Sequence, residues 1–157
     1  MRSLMTPAGY EKAVADLKHH KSVLRPQVVQ EIEEARAQGD LSENAEYDYA
    51  KDKQGMIEAR INELETLVAT AEVVDVTQLV PSEKVVFGTK VELLDVETDE
   101  ELAYRIVGRL EADVKAGRIY WESPIARALL GRSVGDEVQV VTPKGRRSFE
   151  ILDVVYS

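Results

Sequence analysis

The stretch Gly39-Asp40-Leu41-Ser42-Glu43-Asn44-Ala45-Glu46-Tyr47 places three carboxylates and no basic residue within nine positions. Carboxylates are hard oxygen ligands. A pair of them suits Mg²⁺, which takes near-octahedral oxygen coordination and is usually held by one or two acids plus waters and other ligands. Two acids do not complete such a site, so on this reading another molecule supplies the rest. The same spacing also has a purely local reading. Aspartate at an N-cap with glutamate three residues later is a capping box, in which each side chain satisfies an amide at the start of the following helix. Ser42 is an alternative cap, which would leave Asp40 free. The residues alone leave both readings open.

The neighbours of these acids have simpler roles. Leu41 reads as turn packing, Asn44 as a polar contact or a cap, and Tyr47 as the first apolar residue of a helix. Glu46 is a first-turn acid that complements the helix dipole. Lys18, Lys21, Arg25, Arg36, Lys51 and Lys53 lie on the flanks of the helical segments, where charge is usually solvated. His19 and His20 are adjacent, and adjacent helix positions do not face each other, so no ligand role is assigned to them. Ser123 reads as a helix cap, because neither histidine has any evident reason to stand beside it as a base. Pro143 to Arg147 reads as a charged hairpin turn.

The elements that must position the turn are two long helices. Thr6-Pro7 is a helix start, with a hydroxyl to cap and a proline where no N–H is needed. From there Tyr10, Val14, Leu17, Lys21, Leu24, Val28, Ile32 and Ala35 step along one face. Pro26 removes a backbone donor inside this run, so a kink or local loosening is expected near Leu24 to Pro26 rather than a full break. Gly39 supplies the stop. The second seam is Tyr47, Ala50, Gln54, Ile57, Ile61, Leu64, Val68 and Ala71, a heptad pattern that runs to about residue 72. A short connection favours antiparallel neighbours, so the two seams predict a two-helix antiparallel coiled coil with the acidic turn at its tip. A helix of about 28 residues reaches roughly 40 Å.

Beyond residue 72 the period changes. VVDV, KVELLDV, LAYRIVG, RIYWE, DEVQVV and SFEILDVVY read as strands separated by turn signals, and SPIARALLG reads as one short helix with Ser123 as cap and Gly131 beyond its end. The chain is thus expected to be α+β, with an arm over 1–75 and a sheet module over 76–157. Composition agrees with a soluble fold: 44% of residues are hydrophobic and 31% charged. There is no cysteine, which excludes disulfides and thiolate metal sites and fits the cytoplasm. No apolar run approaches the roughly 20 residues that a membrane span needs. A net charge of -9 argues against a stand-alone duplex-DNA binder, so any nucleic acid is met through a partner. The acidity leans toward the arm: the first 75 residues hold 9 Lys+Arg against 15 Asp+Glu, the remainder 11 against 14.

The run RPQVVQEIEEARAQGDLSENAEYDYAKDKQGMIEARINELE resembles the arm of bacterial Gre transcription elongation factors, especially the A type. VVFGTKVELLD, YRIVG, EADVKAGRI, SPIARALLGRSVGDEVQVVTPKG and FEILDV resemble the rest of that family in order, so the likeness covers nearly the whole chain. The resemblance implies an antiparallel coiled coil that enters the secondary channel of bacterial RNA polymerase, and a C-terminal FKBP-like antiparallel-sheet domain with one short helix that docks at the channel rim. It maps the family's functional acids onto Asp40 and Glu43. There they would help hold a Mg²⁺ shared with the polymerase and orient a water, so that the polymerase itself cleaves backtracked nascent RNA. The implied protein is a monomeric, cytoplasmic stimulator rather than an enzyme, without membrane attachment.

Two rival functions follow from the same resemblance. The FKBP-like fold suggests a peptidyl-prolyl isomerase, but that rests on fold analogy, and the sequence has no recognisable aromatic-lined proline pocket. A Gre-like factor that enters the same channel and inhibits transcription is the nearer rival. The intact DLSENAEY tip matches cleavage-competent members instead.

Overall fold

The computed structural model describes residues 3–39 and 44–157. The chain forms two compact units. One is Tyr10–Thr70, and the other joins the segment ending at Gly9 to Ala71–Ser157.

The helical unit is built from α1 (Pro7–His19), α2 (Arg25–Ala37) and α3 (Ala45–Ala69). α1 and α2 are joined without a break by a π-helical turn over His20–Leu24. Pro26 has no N–H to offer the carbonyl four residues back, and the helix accommodates this by widening: the Arg25 N–H donates to the His20 carbonyl, five residues earlier. Side chains serve carbonyls just upstream of the wide turn. His20 Nδ1 donates to the Asp16 carbonyl at 2.7 Å, and the Ser22 hydroxyl donates to that of Lys18 at 2.6 Å. The expected loosening before Pro26 therefore takes the form of a π turn.

α2 and α3 pack against each other, and their polar pairs fix the direction. Glu31 meets Lys53 at 3.0 Å, Arg25 meets Glu58 at 2.7 Å and Lys21 meets Glu65 at 3.3 Å. As the first partner falls in number the second rises, so the helices are antiparallel. The seam between them holds Val28, Ile32, Ala50, Ile57 and Ile61, with Leu17, Leu24 and Tyr47 packed at its margins. Two expected seam positions are displaced by one residue. Val14 is 40% exposed while Ala13 is buried, and Leu67 is buried where Val68 was expected. A π turn adds one residue to the helical repeat, which rotates everything upstream of it by one position. At the far end, a straight helix drifts away from a strict heptad.

The other unit is a five-stranded sheet in the order β5-β4-β3-β7-β6, made of β3 (Lys90–Asp95), β4 (Glu101–Val107), β5 (Arg118–Tyr120), β6 (Glu137–Thr142) and β7 (Gly145–Val155). All pairs are antiparallel except β4–β5, which is parallel. Alternation along β3 sends Val91 and Leu93 into a core shared with Ile106, Val138, Phe149 and Ile151. The short helix α4 (Pro124–Leu129) closes that core with Ala126 and Leu129. The Ser123 hydroxyl accepts from the Ala126 amide, as a cap should.

Besides the run that begins at Ala71, the sheet unit takes in the start of the chain. β1 (Ser3–Met5) pairs in parallel with β2 (Ala71–Val73), and Leu4 joins the sheet unit's core, so residues 3–9 fold with the second half. β1 is three residues long and offers no period from which to read a strand. Its neighbour Glu111 fastens the start of α1. The Glu111 carboxylate accepts from the Thr6 amide at 3.1 Å, from the Thr6 hydroxyl, and from the Gly108 amide at 3.2 Å. The Thr6 oxygen in turn caps Gly9.

Among the described residues no helix is long and apolar enough to cross a membrane.

Two measurements test this packing. A Cβ on Gly9 would lie 2.2 Å from Glu111 Cδ, so Gly9→Ala should displace the carboxylate and cost about 1.5–3 kcal/mol of charge-assisted hydrogen bonding. In a Glu111→Ala background the clash is gone, and Gly9→Ala should instead stabilise by up to about 1 kcal/mol through helix propensity. Thermal melts of the four-member cycle read this sign change; the same cost in both backgrounds would contradict it. The second measurement concerns Asp95, buried at 3% exposure, which meets Arg147 at 2.8 Å and accepts from the Glu97 and Thr98 amides. The Arg147 bond, followed by the Glu97 amide, holds the Asp95 carboxyl below its ordinary range. A depressed folded-state value means that the stabilisation is present above the unfolded-state pKa and is lost as pH falls through the folded one. Asp95→Asn should lower the melting temperature at neutral pH and reduce the further loss on acidification. An unchanged acid limb would contradict this.

Candidate functional site

The turn is framed by the end of α2 and the start of α3. α2 stops because Gly39 adopts φ +104°, a left-handed conformation that ends a helix at little cost to glycine, and its amide reaches the Arg36 carbonyl at 3.3 Å. α3 begins at Ala45 with Asn44 as its N-cap. Asn44 uses both ends of its side-chain amide: Oδ1 accepts from the Tyr47 N–H at 3.1 Å, and Nδ2 donates to the Ala35 carbonyl at 2.6 Å. One residue thus satisfies an orphan donor at the head of α3 and a carbonyl in the last turn of α2. Gln38 adds a second strut by donating to Glu46 Oε2 at 2.9 Å.

Asp40 and Glu43 lie outside the described residues, as do Leu41 and Ser42. What the frame does decide is the cap. The capping box required Asp40 as the N-cap and Glu43 three residues on, or Ser42 as the alternative, but the helix starts later and Asn44 holds the cap position. Tyr47 is half-buried against the seam, as expected, and Glu46 and Asp48 supply the acids of the first turn.

The remaining sequence candidates are structural where they are paired. Arg25 grips Glu58 with two bonds, at 2.7 and 2.8 Å, and that hydrogen bonding holds Glu58 below the ordinary carboxylate range. Lys21 and Lys53 pair across the hairpin, and Lys51 reaches Gln54 at 3.2 Å. His19 and His20 stand edge to face with centroids 6.3 Å apart. Among the described residues no group of three or more His, Asp or Glu is placed to hold a metal ion. In the basic turn, Arg147 is committed to Asp95 and lies over the Phe149 ring at 4.9 Å, while Lys144 and Arg146 remain on the hairpin surface.

Sequence reasoning missed a groove beside the turn. It lies between α2 and α3, has a volume of about 390 Å³, and is walled on one side by Tyr49, which is 69% exposed. The signal available was the meeting of Ala35 and Ala50 in otherwise β-branched seams.

Asn44→Ala should cost about 0.5–2 kcal/mol in cap energy. Asn44→Asp keeps the cap acceptor but removes the side-chain bond to the Ala35 carbonyl, which retains only the Gln38 amide at 3.2 Å, at roughly 1 kcal/mol. Urea titrations followed by helical circular dichroism distinguish the two bonds; an Asp variant as stable as the unmodified protein would remove the Ala35 bond from this account.

Known proteins are similar to this chain along nearly its whole length. Residues 3–73 match the family model described as transcription elongation factor, N-terminal, and residues 80–156 match that described as transcription elongation factor, GreA/GreB, C-term. Transcription elongation factor GreA of Xanthomonas axonopodis pv. citri is 50% identical over 156 residues, covering 99% of both chains. The protein of that name from Rhizobium leguminosarum bv. viciae is 53% identical over 150 residues, covering 96% of this chain and 94% of its own. Among solved structures, GreA factor homolog 1 (Gfh1) of Thermus thermophilus aligns over 99% of both chains with 29% identity and a TM-score of 0.45.

Proposed function

This chain belongs to the GreA/GreB family of transcription elongation factors, and from that membership we propose that it enters the secondary channel of bacterial RNA polymerase and stimulates the polymerase's own cleavage of backtracked nascent RNA, rescuing arrested complexes. It works as a monomer in the cytoplasm. The polymerase carries out the hydrolysis and this protein supplies side chains to it. The sheet unit docks on the polymerase, and the hairpin carries the turn.

The observation that supports this reading best is the division of labour at the turn. Capping of α3 and the tie between the helices fall to Asn44, the residue that directly follows the segment carrying Asp40 and Glu43. Two hard carboxylates next to that frame fit Mg²⁺, which is commonly held by one or two acids together with ligands from elsewhere, here the polymerase. When bound, the ion supplies Lewis-acid stabilisation of charge developing on the scissile phosphate and lowers the pKa of a bound water. Asp40 and Glu43 would hold the ion and accept a hydrogen bond from the attacking water. Gln38 bonds Glu46 across the ends of the two helices, and Glu46 and Asp48 supply the acids of the first turn of α3.

The test is a paired one. Asp40→Asn and Glu43→Gln preserve shape and remove the anionic oxygen. Cleavage of RNA in a backtracked complex should fall by about 100-fold or more, as loss of a metal ligand costs several kcal/mol of transition-state stabilisation. Helix content and competition with unmodified protein for the polymerase should remain, and added Mg²⁺ should recover part of the loss. Near-normal cleavage by both variants would overturn the metal role. RNA cleavage by the purified protein without polymerase would overturn the division of chemistry between the two.

A further inference from the structure

The groove beside the turn takes no part in the metal reading, and its composition is specific. Its floor is Ala35 and Ala50, 3% and 2% exposed, where the seam deeper in the hairpin is built of Val28, Ile32, Ile57 and Ile61. Two methyl side chains leave the space that branched ones fill elsewhere. Tyr49 stands at the wall with most of its ring in solvent. Glu31, Glu34 and Glu46 line the rim, and they are not equivalent. Lys53 neutralises Glu31. Glu34 meets the Gln30 side-chain amide at 3.2 Å, and Glu46 meets that of Gln38 at 2.9 Å; these bonds orient a carboxylate without cancelling its charge.

An exposed aromatic face, an apolar floor and two uncompensated carboxylates together match a guanidinium. A planar, weakly hydrated cation stacks on the ring while its N–H groups bond the acids, and its aliphatic stem covers the alanines. A phosphate or the backbone of a nucleic acid would be repelled by the same rim. Building on the polymerase reading above, we infer that the groove receives an arginine side chain of the polymerase channel wall, a contact that fixes the turn in place once the hairpin has entered. Tyr49, Glu34 and Glu46 are then positioning residues for the cleavage reaction.

The full-length protein and core RNA polymerase provide the test, through competition against labelled unmodified protein at two ionic strengths, with helix content checked for each variant. Tyr49→Ala should weaken binding about tenfold, within the range of a desolvated cation–π contact, and Tyr49→Phe should bind like the unmodified protein. The double variant Glu34→Gln, Glu46→Gln should bind more weakly and show a flatter salt dependence. Unchanged binding of folded Tyr49→Ala overturns the inference. Equal loss in Tyr49→Phe also overturns it, since the hydroxyl would then carry the contact. Tighter binding of the double Gln variant would mean that the two acids oppose the channel wall rather than meet a cation on it, and would overturn the inference as well. In each of these cases the unmodified protein still binds and stimulates cleavage, so the proposed function stands; failure of the unmodified protein to bind polymerase would remove both readings.

Discussion

Where a helical hairpin reverses, the last carbonyls of one helix and the first amides of the next lose their helical partners within a few residues of each other. Asn44 meets that constraint with a single side chain, accepting from Tyr47 and donating to Ala35. A capping aspartate could satisfy the donor but has no N–H for the carbonyl, and a serine is shorter by a bond. Because an amide does both tasks, the register of α3 against α2 is tied at the turn itself.

The rest of the hairpin conforms to that tie. With the ends of α2 and α3 linked, Val28, Ile32 and Ala35 of one helix and Ala50, Ile57 and Ile61 of the other line the seam of the antiparallel pair, and the ion pairs Lys53–Glu31, Arg25–Glu58 and Lys21–Glu65 run along its flank in the same antiparallel sense. These pairs are half-exposed and individually weak, so their value lies in agreeing with the seam rather than in driving it. The π turn at His20–Leu24 is the accommodation of Pro26 that keeps α1 and α2 continuous.

Much of this was legible from residue types. Heptad spacing gave both helices, Gly39 gave the stop, and alternation gave β3, β4, β6 and β7 within a residue or a few. What was hidden had no local signature. β1 is three residues whose partner β2 lies far along the chain, so only tertiary pairing makes it a strand. Ala13 displaces Val14 because a π turn shifts the phase of the helix upstream, and hydrophobicity alone favours the valine. Asn44 was one of three plausible caps, and the choice depended on where α3 begins. Arg147 looked like a surface charge until strand pairing placed it against buried Asp95. The groove with Tyr49 needed the two seams brought together. The metal role proposed for Asp40 and Glu43 rests on residue type and family membership, since both lie outside the described residues.

The central claim is that this protein acts on a polymerase whose transcript has slid backward, and the most direct measurement uses no variant. Unmodified protein is added, in the presence of Mg²⁺, to a stalled and backtracked bacterial elongation complex that carries 5′-labelled RNA, and the RNA is resolved by length over time. The account predicts rapid shortening of the labelled transcript from its 3′ side, followed by renewed extension when nucleotides are supplied. Transcript that keeps its full length in the presence of saturating protein, with extension slowed instead, would contradict it.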